Sequence, residues 1–174
     1  MGSSLNQKGL LGLVLVFVVL AVLSATGVLV AVNLSSSIPG DIIYPVKGIY
    51  ENLRLAFNEL NYESRAEVFI DLSNTRLNEF EKLVNRRNYS KIPQTLDDMV
   101  LMQKMALDNI GRAQNRGNDI SEVLRKLALS INKQQSSLRK LYFEVSPEGY
   151  GVMDKAIEST QESLNRIGIL KGRR

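Results

Sequence analysis

The 174 residues carry 22 Lys+Arg against 18 Asp+Glu, a formal net charge of +4, with no cysteine, histidine or tryptophan. Disulfides and thiol chemistry are therefore excluded, and so are zinc sites of the Cys/His kind and the Glu-x-x-His pairs of ferritin-like di-iron bundles. The two signs of charge are interleaved rather than blocked, which argues against a nucleic-acid face.

Reading in chain order, residues 1–8 form a short stub whose only charged side chain is Lys8. Gly9 to Val32 follow as an uncharged apolar run of about 24 residues, long enough as a helix (~36 Å) to cross a ~30 Å hydrocarbon core. A cleaved signal peptide would have a shorter apolar region ending at a small-x-small site. The run therefore reads as an uncleaved signal anchor. With Lys8 before the span and no basic residue after it until Lys47, the N-terminus is expected inside and the remaining chain outside a plasma membrane. Lipid is thus the first expected partner, through residues 9–32. Ala21 with Ala25 and Gly27 with Ala31 give small-xxx-small spacing, which leaves open a homo-oligomer through the membrane helix, although such pairs are common in any apolar helix. Lys8-Gly9 before the apolar run also leaves open a pilin-like or surface-filament subunit, although Val14 stands where prepilin leaders usually carry Glu.

Residues 33–44 read as a linker and turn. Pro39-Gly40 suits the centre of a type II turn, and Asp41 can cap the next turn of chain. From Pro45, which suits a helix first turn, Val46, Ile49, Tyr50, Leu53, Ala56, Phe57 and Leu60 recur at three and four, one apolar stripe over about four turns. Asn61 ends this helix or caps the next. The second stripe runs Ala66, Phe69, Ile70, Ser73, Leu77, Phe80, Leu83 and Val84, with acids near its start and bases near its end, as the helix dipole favours. Tyr89 to Pro93 interrupt it. The third stripe (Leu96, Met99, Val100, Gln103, Ala106, Leu107, Ile110, Ala113) stops at Gly117, and Asp119 with Glu122 resembles a capping box. The fourth contains Ile120, Val123, Leu124, Leu127, Ile131, Leu138, Leu141 and Tyr142. After Ser146-Pro147 the fifth runs Val152, Met153, Ala156, Ile157, Thr160, Leu164, Ile167 and Leu170.

Four of these helices are expected to span about 24–26 residues, ~36–39 Å each, and short loops make neighbours antiparallel. The expected fold is all-α: a single N-terminal transmembrane helix, then a long antiparallel bundle of about five helices over residues 45–174, with coiled-coil-like packing and the shorter first helix at its side.

Candidate chemistry is sparse. The acidic row Glu63, Glu67 and Asp71 offers one helix face, too few ligands for calcium, and no metal or cofactor is expected. No nucleophile–base set is apparent, so no enzyme is expected. If the second helix returns toward the membrane, its end carries Arg86, Arg87 and Lys91 around Tyr89, a candidate contact with an anionic headgroup surface.

The segment IPGDIIYPVK at 38–47, followed by ENLRLAF at 51–57 and RAEVFIDLSNTRLNE at 65–79, resembles the extracytoplasmic family known as domain of unknown function 5667. Members typically open L-P-G-D-x-L-Y-P-V-K. The resemblance marks Pro39, Gly40, Asp41, Tyr44, Pro45, Lys47 and Arg54 as a partner-binding or structural motif, with Arg54 expected to pair with Glu51. It implies a prokaryotic protein held by one helix or a signal sequence with its domain outside, and it implies no activity. The expected function is a non-enzymatic accessory or structural subunit that binds protein in an envelope or membrane complex. An envelope sensor or regulator working through a membrane-spanning partner is the alternative.

Overall fold

The computed structural model describes residues 37–57 and 61–172. Residues 1–8, the expected anchor at 9–32, residues 33–36 of the linker, Leu60 and the basic pair Arg173-Arg174 lie outside them. Among the described residues every element is helical, and no helix is long and apolar enough to cross a membrane.

A compact unit begins at Ile38. It contains five helices: α1, Tyr44–Phe57; α2, Tyr62–Asn85; α3, Ile92–Asn115; α4, Ser121–Leu141; and α5, Tyr150–Gly172. Three single 3-10 turns fill the connections, at Tyr89–Lys91, Tyr142–Glu144 and Pro147–Gly149. The expectation of five helices with short loops is met, with the four long ones at 21 to 24 residues.

Local chemistry sets the boundaries. Asn61 is the N-cap of α2, its side-chain oxygen accepting from the Ser64 amide at 3.1 Å. Pro93 sits in the first turn of α3, where its missing N–H costs nothing. Both α2 and α3 end in Schellman motifs. After α3, Gly117 takes φ +82° while its amide reaches Gln114 O at 2.9 Å and the Asn118 amide reaches Ala113 O at 3.2 Å. After α2 the same two bonds run from Arg87 to Val84 O and from Asn88 to Leu83 O, each at 2.9 Å, but the left-handed position at φ +54° is held by Arg87. One expectation shifts: α4 starts at Ser121, with Asp119 accepting from the Ser121 amide at 3.0 Å and Glu122 joined to Arg125 at 2.8 Å.

Helices α2 to α5 form the bundle, with α2 packed most extensively on α3 and α4 on α5. Their stripes meet in two apolar layers. One gathers Ala66, Phe69, Leu107, Ile110, Leu124 and Leu127; the other, toward the opposite end, gathers Leu77, Phe80, Leu83, Ile92, Leu96 and Met153. Each fully buried side chain of this size is worth about 1.5–3 kcal/mol relative to exposure. Ile38, just ahead of the turn, is part of the second layer.

Between the layers lies a polar one. Gln134 of α4 donates to Ser73 of α2 at 2.9 Å and accepts from Gln103 of α3, whose oxygen receives Ser163 of α5 at 3.3 Å. All four side chains are buried, so each long helix contributes one member of a hydrogen-bonded cross-section.

Candidate functional site

Pro39-Gly40 makes the expected turn. The Asp41 amide donates to Ile38 O at 3.0 Å, and Gly40 takes φ +107°, a value that favours glycine. Asp41 closes it: one carboxylate oxygen accepts from the Ile38 amide at 2.9 Å, and the other pairs with Arg86 at 3.2 Å. The Tyr44 amide then donates to Asp41 O at 3.1 Å, which starts α1.

Helix α1 runs back along α2 in antiparallel register, and its charges meet α2 in order. Asp41 pairs with Arg86, Lys47 with Glu79, Glu51 with Arg76, and Arg54 with Asp71 at 2.9 Å. Arg54 thus finds its acid across the helix interface, whereas the expected partner Glu51 is taken by Arg76. The middle of this ladder is a buried network. Arg76 forks between Glu51 and Glu79, with Nη1 at 3.2 Å and 2.9 Å from their respective Oε1 atoms, and Glu79 also receives Lys47 and, at 3.4 Å, the Tyr44 hydroxyl.

Two cations face two carboxylates there, so the network is formally neutral. Burial, reinforced by the field of Glu79, pushes the Tyr44 phenol up to about 12 and keeps it a hydrogen-bond donor. Burial works against the Arg76 charge, but the hydrogen bond to Glu51 and the field of Glu79 outweigh it and raise its pKa further. Asp98, half-buried on α3, is raised by burial, with Arg76 opposing. An interior of this kind fixes geometry: both carboxylates are engaged by cations, and the phenol is held protonated.

Of the motif side chains, Asp41, Tyr44, Lys47 and Arg54 are therefore brought together along the α1–α2 seam, with Pro39 and Gly40 setting the turn and Pro45 in the first turn of α1. Arg76 and Glu79, which complete the network, were not apparent as site residues. Their signal is a charged pair three apart on α2, matching the i, i+4, i+7 row of Lys47, Glu51 and Arg54 on α1. The roll of α1 follows from this seam. Its apolar stripe faces away from the bundle, with Val46, Ile49, Tyr50 and Leu53 all exposed.

The acidic row of α2 is an inter-element ladder as well: Glu63 accepts from Asn118, Glu67 pairs with Lys126 at 2.6 Å, and Asp71 takes Arg54. No group of acids poised for a metal occurs among the described residues. Of the candidate headgroup contacts, Arg86 is paired to Asp41, the Tyr89 hydroxyl donates to Glu144 O at 3.3 Å, and Arg87 shapes the Schellman turn. With Lys91 they cluster at the bundle end that also holds the turn at residues 38–41.

Residues 36–147 match the family described as a domain of unknown function, DUF5667. The chain belongs to that family. The match extends past the opening motif through α4, so the DUF5667 region includes the α1–α2 seam and three of the four long helices. No curated protein and no solved structure matches the chain.

Proposed function

We propose that this DUF5667 protein is a membrane-anchored, extracytoplasmic module without catalytic activity. In this reading residues 9–32 cross the plasma membrane with the N-terminus inside. The helical unit outside acts as an accessory or structural subunit that binds protein in an envelope complex.

The observation that carries the reading is the use made of the family's opening motif. Its polar side chains are joined to α2 along a seam whose middle is a buried, formally neutral network, an arrangement suited to holding a helix at a fixed roll rather than to moving protons or binding a substrate. The length of the uncharged run at 9–32 supports the tether.

Crosslinking in native membranes followed by mass spectrometry tests this function. A stable stoichiometric partner is the expected result. Contact that appears only under particular growth conditions would favour a sensor or regulator. A free monomer in mild detergent, with no crosslinked protein under any condition, would overturn both readings.

A further inference from the structure

The charges of α1 all meet the bundle, and its outward face has none. Val46, Ile49, Tyr50 and Leu53 lie at i, i+3, i+4 and i+7 and are 49–62% exposed, while Ile43 and Ile42, just ahead of the helix, are 40% and 98% exposed. Val46 to Leu53 span about 10 Å of helix at 1.5 Å per residue, and Ile42 and Ile43 continue the uncharged strip ahead of it. A helix packed on a bundle and facing water has the opposite arrangement, with its apolar stripe inward. The roll cannot readily relax, because Lys47 and Glu51 are held beneath the helix by Glu79 and Arg76.

The position of the strip in the chain points to its occupant. Ile38 lies six residues beyond Val32, the end of the apolar run, a reach of at most ~20 Å when fully extended. A chain leaving a bilayer at Val32 therefore holds α1 within about one helix length of the headgroups. The strip also has the make-up of an interfacial helix face: branched aliphatic side chains with an amphipathic tyrosine, and a cation close to one end, where Arg86 pairs with Asp41. We propose that the outward face of α1 docks on the lipid surface beside the tether, laying the long axis of the bundle along the membrane. This inference rests on the reading of residues 9–32 as an anchor.

The absence of cysteine makes the test direct, since a single introduced thiol labels one site. Full-length chains carrying Leu20→Cys, Ile49→Cys, Leu53→Cys or Leu129→Cys are labelled with an environment-sensitive fluorophore. They are then reconstituted in vesicles of phosphatidylcholine and phosphatidylglycerol. Leu129, on α4, is 58% exposed and serves as the comparison. Nitroxides on the acyl chains should quench the labels at positions 49 and 53 several-fold more than that at 129, and iodide should do the reverse. Labels at 49 and 53 as open to iodide as that at 129 overturn the inference while leaving the anchor intact, provided position 20 is quenched from the lipid. Shielding of 49 and 53 from both quenchers would mean that protein covers the strip, a second copy included, and overturns it too. A label at position 20 beyond reach of the lipid nitroxides overturns the anchor and this inference together.

Discussion

Phe80 lies in the four-helix core with none of its surface exposed, and Glu79, its neighbour in α2, is 1% exposed beneath α1. One side of α2 is buried by hydrocarbon contact and the other by charge. Hydrophobic burial has no direction of its own and would turn the stripe of α1 inward as readily as it turned the other four. The ion network imposes a direction. Buried ion pairs add little net stability over apolar replacements, but removing one partner is costly, and such groups are suited to specifying geometry. The long helices thus owe their place to area, and α1 owes its roll to pairing.

That contrast breaks most clearly at Phe80. Phe80→Ala should cost about 3–5 kcal/mol, read as a lower midpoint for the whole bundle in denaturant unfolding followed by circular dichroism. Glu79→Ala removes the carboxylate that both Lys47 and Arg76 reach, a loss of similar gross size, about 3–5 kcal/mol, that α1 can limit by undocking. Hydrogen exchange should then show deprotected α1 amides and unchanged protection in α3 to α5. If global stability falls as far as in Phe80→Ala while α1 keeps its protection, α1 is not a separately held element.

Replacing Lys47, Glu51, Arg76 and Glu79 together by Met, Leu, Met and Leu sharpens the comparison. Stability should be unchanged or rise by about 1–4 kcal/mol, while labels at Ile49 and Leu53 should lose their uniform exposure as the roll becomes unspecified.

A smaller effect concerns Tyr44. Its folded-state pKa lies above its ordinary value of 10.0, at about 12, so its contribution is complete below pH 10 and disappears as pH rises through 12. With the side chain only partly exposed, about 1 kcal/mol is at stake after solvent screening. Tyr44→Phe should remove that alkaline loss, together with a tyrosinate fraction titrating near pH 12. Smallest of all, Arg87→Gly should stabilise by about 0.5–1 kcal/mol, raising Tm, because the Schellman position at φ +54° favours glycine.

The long helices were legible because their signals are local. Asn61, Pro93 and Gly117 mark ends by their own local chemistry, and the spacing of Leu77, Phe80 and Leu83 names a buried face without reference to anything distant. The roll of α1 was not legible for the same reason. Val46, Ile49, Tyr50 and Leu53 are spaced like any core stripe, and Lys47, Glu51 and Arg54 look like an ordinary solvent face until Arg76 and Glu79, some 25 to 32 residues away, are placed opposite them. Gln134 was missed because it falls in the gap between Ile131 and Leu138, where the fourth stripe pauses. Ser73 and Gln103 stood inside apolar stripes as unexplained polar members, and only the fold shows that they meet. The reading of residues 9–32 is untouched by the fold, since they lie outside the described residues.

The polar cross-section through Ser73, Gln103, Gln134 and Ser163 acts as an indexing pin. Leucine-rich helices can slide past one another by a turn with little penalty, but here a one-turn slip would press an amide against hydrocarbon and strand its hydrogen bonds, a cost of about 1–3 kcal/mol for each group. The pin also divides the rod at its waist. Fraying that begins at the Gly117 end has to break these bonds before it reaches Phe80, so the two halves can breathe separately, and the half that carries the turn at 38–41 is insulated from any opening at the far tip.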